Sequence, residues 1–499
     1  MSAIVEVSDL TVSYGNNPAL RDLSFSVEEG DLVLISGPSG CGKSTLALTL
    51  TGLIPHAKRA VMKGTVRVDG IDTRTSTPAA LASHIGIVFQ NPHSQLFHST
   101  VVDEVSFAPR NSMLSGERLG EDDVERRTVF SLASTGILHL RDRKIGELSD
   151  GERQRVAIAS VLSMSPRILV LDEPTANLDW EGTGLVMGTL SRLNRERGIT
   201  ILVVEHRLSA VYPRCCKAMI MNEGRIAAFG SRGTVFSDRG RLVSLGLRFP
   251  WKWIENGTER YVPEGIRPPA VTGSPLVELK GVSAGYGKRK VLSDIDLSIY
   301  PGEFVALVGK NGEGKSTLAR VIAGLHKPSK GKVLWHQSVK RLPLGRRAGF
   351  VFQNTGEQLL CKTVEDEVSL GPECLGLEKE VYASMALETT DLISLRNRAP
   401  YSLSIGEGQR CVLASVLATD PVLFLLDEPS VGQDWGHLSR VMAFLKRLGK
   451  NRKAVVIITH DDKLVCRFAE RIVLLEGGRV TADGIPDKRE TELGMEAAF

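Results

Sequence analysis

The chain has 499 residues, a hydrophobic fraction of 42%, a charged fraction of 24% and a formal net charge of +4. At about 100–250 residues per domain, this length calls for two or more cores, and the composition is that of a globular protein. So small a charge, with no dense Lys/Arg block, gives no argument for nucleic acid; no apolar run approaches the roughly 20 residues of a membrane span.

VEVSDLTVSYG (5–15) reads as a strand ending near Tyr14. LVLISG (32–37) is a short apolar strand running into GPSGCGKST (37–45), and GKSTLALTLTGL then reads as a helix. The pattern GxxxxGK[ST] is a phosphate loop. Its glycines let backbone N–H groups wrap an anion, and the helix N-terminus adds partial positive charge. The first candidate nucleotide-binding residues are therefore Gly37, Pro38, Ser39, Gly40, Cys41, Gly42, Lys43, Ser44 and Thr45. Lys43 reaches the β/γ-phosphates and Ser44 ligates Mg²⁺ in this reading. Cys41, beside Lys43 and a helix N-terminus, is expected to favour its thiolate, so that alkylation inhibits and bound ATP protects.

VFQN (88–91) supplies Gln90, whose amide can sense the metal and the attacking water. TVVDEV (100–105) opens a helix with Asp103 and Glu104, as the macrodipole favours. ILVLDE (168–173) is an apolar strand ending in Asp172 and Glu173, one carboxylate for Mg²⁺ and one to activate or orient water. ITILVVEH (199–206) places His206 after another apolar strand, as a γ-phosphate sensor. Short, wholly apolar strands belong inside a parallel sheet, and their alternation with helices gives an α/β architecture.

Residues 231–274 are rich in Gly, Pro and Ser and read as a linker; their Trp251, Trp253 and Tyr261 are expected to pack on one domain. The series then repeats in the same order. VELKGVSAGYG (277–287) carries Tyr286, and FVALVG (304–309) enters GKNGEGKST (309–317). The second loop offers Gly309, Lys310, Asn311, Gly312, Glu313, Gly314, Lys315, Ser316 and Thr317. Gln353 lies in VFQN (351–354), Asp427 and Glu428 end LFLLDE (423–428), and His460 ends IITH (457–460). Two similar domains follow, roughly 1–230 and 275–499.

Together these residues resemble the ATP-binding cassette (ABC) family across nearly the whole chain outside the linker. The discriminating feature is the LSxGE signature, in LSDGERQR (148–155) and LSIGEGQR (403–410). The resemblance implies two P-loop ABC-ATPase (nucleotide-binding) domains in tandem, each with a RecA-like core and a helical signature subdomain. It implies ATP and Mg²⁺ as ligands. Ser44, Gln90 and Asp172, and again Ser316, Gln353 and Asp427, would surround the metal. Glu173, Glu428, His206, His460, Gln90 and Gln353 would serve hydrolysis. The family's head-to-tail pairing would act within this one chain: Ser404 and Gly406 would complete the site at Lys43, and Ser149 and Gly151 the site at Lys315. Asp179 and Asp434 would make cross-interface contacts, and Tyr14 and Tyr286 would stack on adenine. Two departures stand out. Asp150 and Ile405 replace a signature glycine and would be strained if that position needs φ > 0. Glu152 and Glu407 replace Gln and put an acid near a polyphosphate, so the two sites are expected to differ in rate.

QNPHSQLFHSTVVDEVSFAP (90–109) and QNTGEQLLCKTVEDEVSLGP (353–372) share Q-N-x-x-x-Q-L and T-V-x-D-E-V. With VVEHRL (203–208) and GQDW (432–435), they resemble the fused cassettes of energy-coupling factor importers, which carry vitamins and transition-metal ions. That likeness implies an ATP-hydrolysing energy-coupling subunit on the cytoplasmic face of the membrane, with a transmembrane coupling subunit and a substrate-binding membrane subunit as partners. No nucleic acid is expected. Asp103, Glu104, Asp366 and Glu367 would receive basic ends of the partner's cytoplasmic helices. Seven cysteines without a C-x-x-C pair, and an N-terminus without a secretory pattern, agree with a reducing, cytoplasmic setting. Three other readings stand beside it. A sugar-type tandem importer often has a degenerate second phosphate loop, whereas GKNGEGKST is intact. A soluble ABC translation factor on ribosomes usually carries a long charged helical linker. A nucleotide binder without turnover has no use for Glu173 and Glu428.

Overall fold

The computed structural model describes residues 3–247 apart from 112, 115, 116, 177 and 207, then 266–267, and 273–486 apart from 288, 354, 355, 357, 431, 432 and 434. Trp251, Trp253, Tyr261 and Asp434 lie outside the described residues. The chain divides into two compact units, Met1–Gly257 and Thr258–Phe499.

In the first unit, apolar runs too short for helices form a buried six-stranded sheet. Its order is Arg225–Ser231, Lys217–Asn222, Leu32–Ser36, Thr200–Val204, Ile168–Asp172 and Ile85–Val88. All neighbours are parallel except the first pair. A second, antiparallel sheet pairs Ala3–Tyr14 with Asn17–Glu28 and with Val61–Val68. The hydrophobic faces of the two sheets share one core, to which Val5, Leu10, Leu46 and Val170 all belong. Helices Val101–Asn111, Glu121–Ser134 and Asp150–Leu162 form a smaller helical body around Val101, Val105, Leu132 and Val156.

The second unit repeats the plan. Its main sheet runs in the order Ile266–Arg267, Arg479–Pro486, Arg471–Glu476, Phe304–Val308, Ala454–Ile458, Leu423–Asp427 and Ala348–Val351. Its antiparallel sheet is Arg289–Ile299, Val277–Tyr286 and Lys330–Trp335. Helices Val364–Cys374, Lys379–Thr389 and Ile405–Ala418 make the helical body. The expected α/β architecture, with a helical body in each half, is the one observed.

The shared spacing Q-N-x-x-x-Q-L…T-V-x-D-E-V has a local physical reason in each unit. The second glutamine folds back on its own strand: Gln95 Oε1 accepts from Phe89 N at 3.0 Å, and Gln358 Oε1 from Phe352 N at 2.7 Å. The glutamate on the next helix then fixes the turn. Glu104 Oε2 accepts from Phe97 N and His98 N at 2.9 and 2.8 Å, and Glu367 Oε2 from Leu360 N and Cys361 N, both at 2.8 Å. Glu104 is 2% exposed and Glu367 5%, so neither presents charge to a partner. Asp103 and Asp366 accept from the hydroxyls of Thr100 and Thr363 at their own helix starts. The acidic-docking expectation is therefore corrected for the two glutamates, which backbone N–H groups claim as buried acceptors, while Asp103 and Asp366 remain exposed.

Glu104→Ala should destabilise the first unit by about 2 kcal/mol, since two part-buried N–H donors lose a charged acceptor, whereas Asp103→Ala should cost under about 1 kcal/mol. Denaturant unfolding of the full chain, followed by hydrogen exchange over residues 96–107, measures both.

Candidate nucleotide sites

Parallel register gathers each candidate site. In the first unit Val204 lies opposite both Ile35 and Asp172, and Val88 opposite Leu171. Four strands thus end at one edge, and Gly37, Glu173, Glu205 and Phe89 are the next residues of those strands. In the second unit Ile458 lies opposite Leu307 and Asp427, and Val351 opposite Leu426. A sheet of this kind binds ligands beyond its carboxyl edge.

The phosphate loop needs glycine where backbone approaches backbone. A Cβ on Gly37 would stand 2.2 Å from Met221 O, and one on Gly42 2.5 Å from Ala19 O, at φ 102°. Buried Lys43 folds over the loop, its Nζ donating to Gly37 O at 2.9 Å and Pro38 O at 2.8 Å. Lys315 does the same to Gly309 O and Lys310 O, at 2.6 and 2.8 Å. A loop that spends its carbonyls on the ammonium keeps its N–H groups for an anion. Helices Lys43–Leu50 and Lys315–Ile322 begin at these lysines.

Cys41 departs from expectation. It is buried, and burial raises its thiol pKa by more than Lys43, 3.7 Å from Sγ, lowers it. It is a packed thiol rather than a reactive thiolate, and its place in the second loop is taken by Glu313, which accepts from Gly477 N.

The carboxylates divide into two environments. Burial pushes Asp172 up to about 6, against a hydrogen bond from Ser44. Its Oδ1 is buried with no hydrogen-bond partner among the described residues. Asp427 is also raised by burial and also bonded to Ser316. An unsatisfied carboxylate oxygen beside a hydroxyl suits a hard divalent cation. Among the described residues no group of three or more His, Cys, Asp or Glu could cage a metal. Mg²⁺ needs no such cage, since it binds through one or two protein oxygens plus phosphates and water. The Ser44–Asp172 and Ser316–Asp427 pairs are the groups that would hold it.

For Glu173, burial again raises the pKa, but His206 beside it, and then Lys43, outweigh burial and hold it below the ordinary value. Gln90 Nε2 donates to Glu173 Oε2 at 2.7 Å, and His206 Nε2 lies 3.1 Å from Oε1. The three residues thus meet around one carboxylate. The second unit is built differently. His460 Nε2 is 2.8 Å from Asn311 Oδ1 and 3.4 Å from Glu428 Oε1, and Gln353 is exposed. Both glutamates have left-handed backbones, φ 47° at Glu173 and 48° at Glu428. For a non-glycine residue this costs about 1–3 kcal/mol and is characteristic of functional positions. Nothing in a strand-plus-acid pattern signals it.

Tyr14 is partly buried, its hydroxyl 3.5 Å from Thr45 Oγ1, with Lys58 Nζ 4.9 Å from the ring centroid. Tyr286 is 48% exposed and its ring packs against His326, centroids 4.7 Å apart and planes tilted by 37°. Lys58 and His326 were not singled out by sequence; each follows a phosphate-loop helix whose end no motif marks. Glu205, buried, was also missed: it accepts from Thr175 Oγ1 at 2.6 Å and from His206 N at 2.9 Å.

The signature serines cap helices. Ser149 Oγ and Ser404 Oγ each accept from the backbone N of Glu152 and Glu407 at 3.3 Å, and those side chains return to the serine N–H at 2.8 Å. This is a capping box, and it gives the two unexpected glutamates a local purpose. Burial raises the Glu152 pKa, but the Ser149 hydrogen bonds outweigh it and hold the carboxyl below its ordinary value. Asp150 and Ile405 open the helices and are not among the positive-φ residues, so the expected strain does not arise. A Cβ on Gly151 would meet Gly182 Cα at an ordinary contact distance of 3.7 Å, and Gly406 O accepts from Gln433 Nε2 at 2.6 Å. Asp179 caps the next helix through Gly182 N at 2.7 Å.

The family model described as ABC transporter matches residues 20–176 and 292–431, more than half of the chain. A provisionally named ABC transporter ATP-binding protein of Methanosarcina mazei is 35% identical over 525 residues, covering 97% of this chain and 89% of the relative. A provisionally named HMP/thiamine import ATP-binding protein of Bacillus subtilis, YkoD, is 33% identical, covering 97% and 92%. Among solved structures, an archaeal ribosome recycling factor, aABCE1, crystallised with ribosomal stalk protein aP1, matches with a TM-score of 0.63 over 98% of this chain and 92% of that one; at 23% identity the likeness is one of fold. With two complete phosphate loops, two Asp-Glu strand ends and two signature helices, the chain belongs to the ABC transporter family, as an ATP-hydrolysing ATP-binding protein with two cassettes.

Proposed function

We propose that this chain is the ATP-hydrolysing subunit of a membrane importer of the energy-coupling factor type, for a vitamin or a transition-metal ion. The observation that carries the reading is the twice-built segment after each Gln: a buried glutamate and a folded-back glutamine hold a turn whose side chains point outward. Phe97 is 66% and Phe107 40% exposed in the first unit; Leu360 is 79% and Leu370 39% exposed in the second. Phe97 packs edge-on against Phe107 with ring centroids 5.0 Å apart. Such apolar pairs, repeated at matching positions, suit the ends of a partner's helices better than solvent. No helix among the described residues is long and apolar enough to cross a membrane, so a transmembrane partner is part of the proposal. The import function printed for YkoD supports the direction of transport.

In this reading Lys43 and Lys315 bind the β/γ-phosphates of ATP, with backbone N–H groups of the loops. Ser44 with Asp172, and Ser316 with Asp427, would hold Mg²⁺, which would supply positive charge beside the phosphates. Glu173 and Glu428 orient the attacking water and take its proton; Gln90 and His206, and His460 in the second unit, set those carboxylates in place. Ser149, Gly151, Ser404 and Gly406 contribute to phosphate binding, with Tyr14 and Tyr286 under the bases.

Glu173→Gln combined with Glu428→Gln should cut ATP hydrolysis at least about a hundredfold while nucleotide binding persists. An unchanged rate would mean that other groups handle the water. Phe97→Ser with Leu360→Ser should weaken association with the membrane subunit at least about tenfold, and leave the isolated chain's ATPase rate intact. Purification from native cells in mild detergent, with mass spectrometry, tests the partner itself. A multi-helix membrane protein with a small hydrophobic binding protein is expected; ribosomal proteins alone would favour the translation-factor reading.

A further inference from the structure

Residues 326–347, HKPSKGKVLWHQSVKRLPLGRR, contain seven Lys or Arg and no Asp or Glu. The cations are spaced rather than run together, so neither the net charge nor a search for a dense basic block marks them. Two of the seven serve the fold: Arg346 pairs with Asp420 at 3.0 Å, and Arg347 donates to Leu342 O and Lys340 O at 2.7 and 2.6 Å. The other five, Lys327, Lys330, Lys332, Lys340 and Arg341, are exposed and enter no ion pair among the described residues. On the edge strand Lys330–Trp335, Lys332 stands opposite Lys280 in the antiparallel register. Lys280 is already paired with Glu278 at 3.2 Å, so the charge left open on this strand pair is that of Lys332.

Exposed leucines are interleaved with these cations. On the strand, Lys330, Lys332 and Leu334 face solvent while Val333 and Trp335 turn to the core. Leu325 is 57% and Leu344 56% exposed. Leu344 packs at Gly324, its Cδ2 3.4 Å from where a Cβ would stand, which sets the two leucines side by side. The matching stretch of the first unit is sparser: Arg59, Lys63 and Arg67 are exposed, but Lys58 lies over Tyr14, Arg74 pairs with Asp72 at 3.2 Å, and Asp69 engages His84 at 2.7 Å.

We propose that this face of the second unit binds the headgroup layer of an anionic phospholipid bilayer. The five cations meet lipid phosphates, while Leu325, Leu334 and Leu344 enter the boundary with the acyl chains. Cations alternating with aliphatic side chains are the signature of interfacial binding. RNA would instead need exposed aromatic rings to stack on, and Trp335, the one Trp of the segment, packs against the core. The proposal rests on the importer reading only for the presence of a bilayer near the chain.

The test is flotation of the full chain, without membrane partners, with vesicles of phosphatidylcholine alone or mixed with phosphatidylglycerol, at low and high salt. Binding should require phosphatidylglycerol and fall steeply with salt. Each neutralised cation should cost about fivefold, so the five-fold variant K327Q/K330Q/K332Q/K340Q/R341Q should lose detectable binding while keeping its ATPase rate. The first-unit control R59Q/K63Q/R67Q should bind like the parent, and L325S/L344S should bind about tenfold more weakly. Equal binding to both vesicle types, parental binding by either second-unit variant, or tighter binding to a homopolymer RNA than to anionic vesicles would overturn the proposal. A chain that floats with anionic vesicles yet copurifies with ribosomes would overturn the importer reading alone. A chain that copurifies with a membrane subunit yet ignores vesicles would overturn the lipid contact alone.

Discussion

Everything chemical in this chain depends on parallel strand register. Leu32–Ser36, Thr200–Val204 and Ile168–Asp172 are buried along their length, and hydrogen bonding aligns their carboxyl ends. A slip of one residue in any of them would turn its side chains to the other face of the sheet. It would also pull a phosphate loop away from its carboxylates. The sites are therefore only as well defined as the sheet, and the sheet is held by apolar burial on both faces.

Within that frame the two units spend the same motif residues differently. Glu173 is gripped by Gln90 and His206, whereas His460 lies closer to Asn311 than to Glu428. Asn311 stands at the loop position that Ser39 fills in the first unit, and the longer amide side chain reaches the histidine. Tyr14 and Tyr286 differ as well, one near an ammonium and one tilted against an imidazole. These differences lie in residues that contact the motifs, which is how two sites with the same consensus come to have unlike surroundings.

The fold was legible because its signals are periodic and repeated. Short apolar runs, each ending in Gly or an acid, recur in one order in both halves, and the structure folds each series into the same kind of sheet. The candidate site was legible to the level of residue identity, since a phosphate loop and an Asp-Glu strand end have few other uses together. What the sequence hid was the allocation of hydrogen bonds. Glu104 and Glu367 read as surface acids because they sit among polar neighbours at a helix start, yet backbone N–H groups claim them. Cys41 read as activated because its neighbours are positive, yet burial outweighs charge. Asp150 and Ile405 read as strained because a glycine is usual there, yet a helix start accepts any L-residue. In each case the deciding quantity was burial or local backbone geometry, which composition does not carry.

The brace behind each Gln segment has a broader meaning. Glu104 and Glu367 hold main-chain nitrogens, not the side chains of Phe97, His98, Leu360 or Cys361. The shape of the turn is thus independent of what it displays. Side chains there can be exchanged without rebuilding the scaffold, and the two halves already exhibit an aromatic and an aliphatic version. In the importer reading, the segment is an interchangeable address label on a fixed engine, open to rewriting for a different client by a few substitutions.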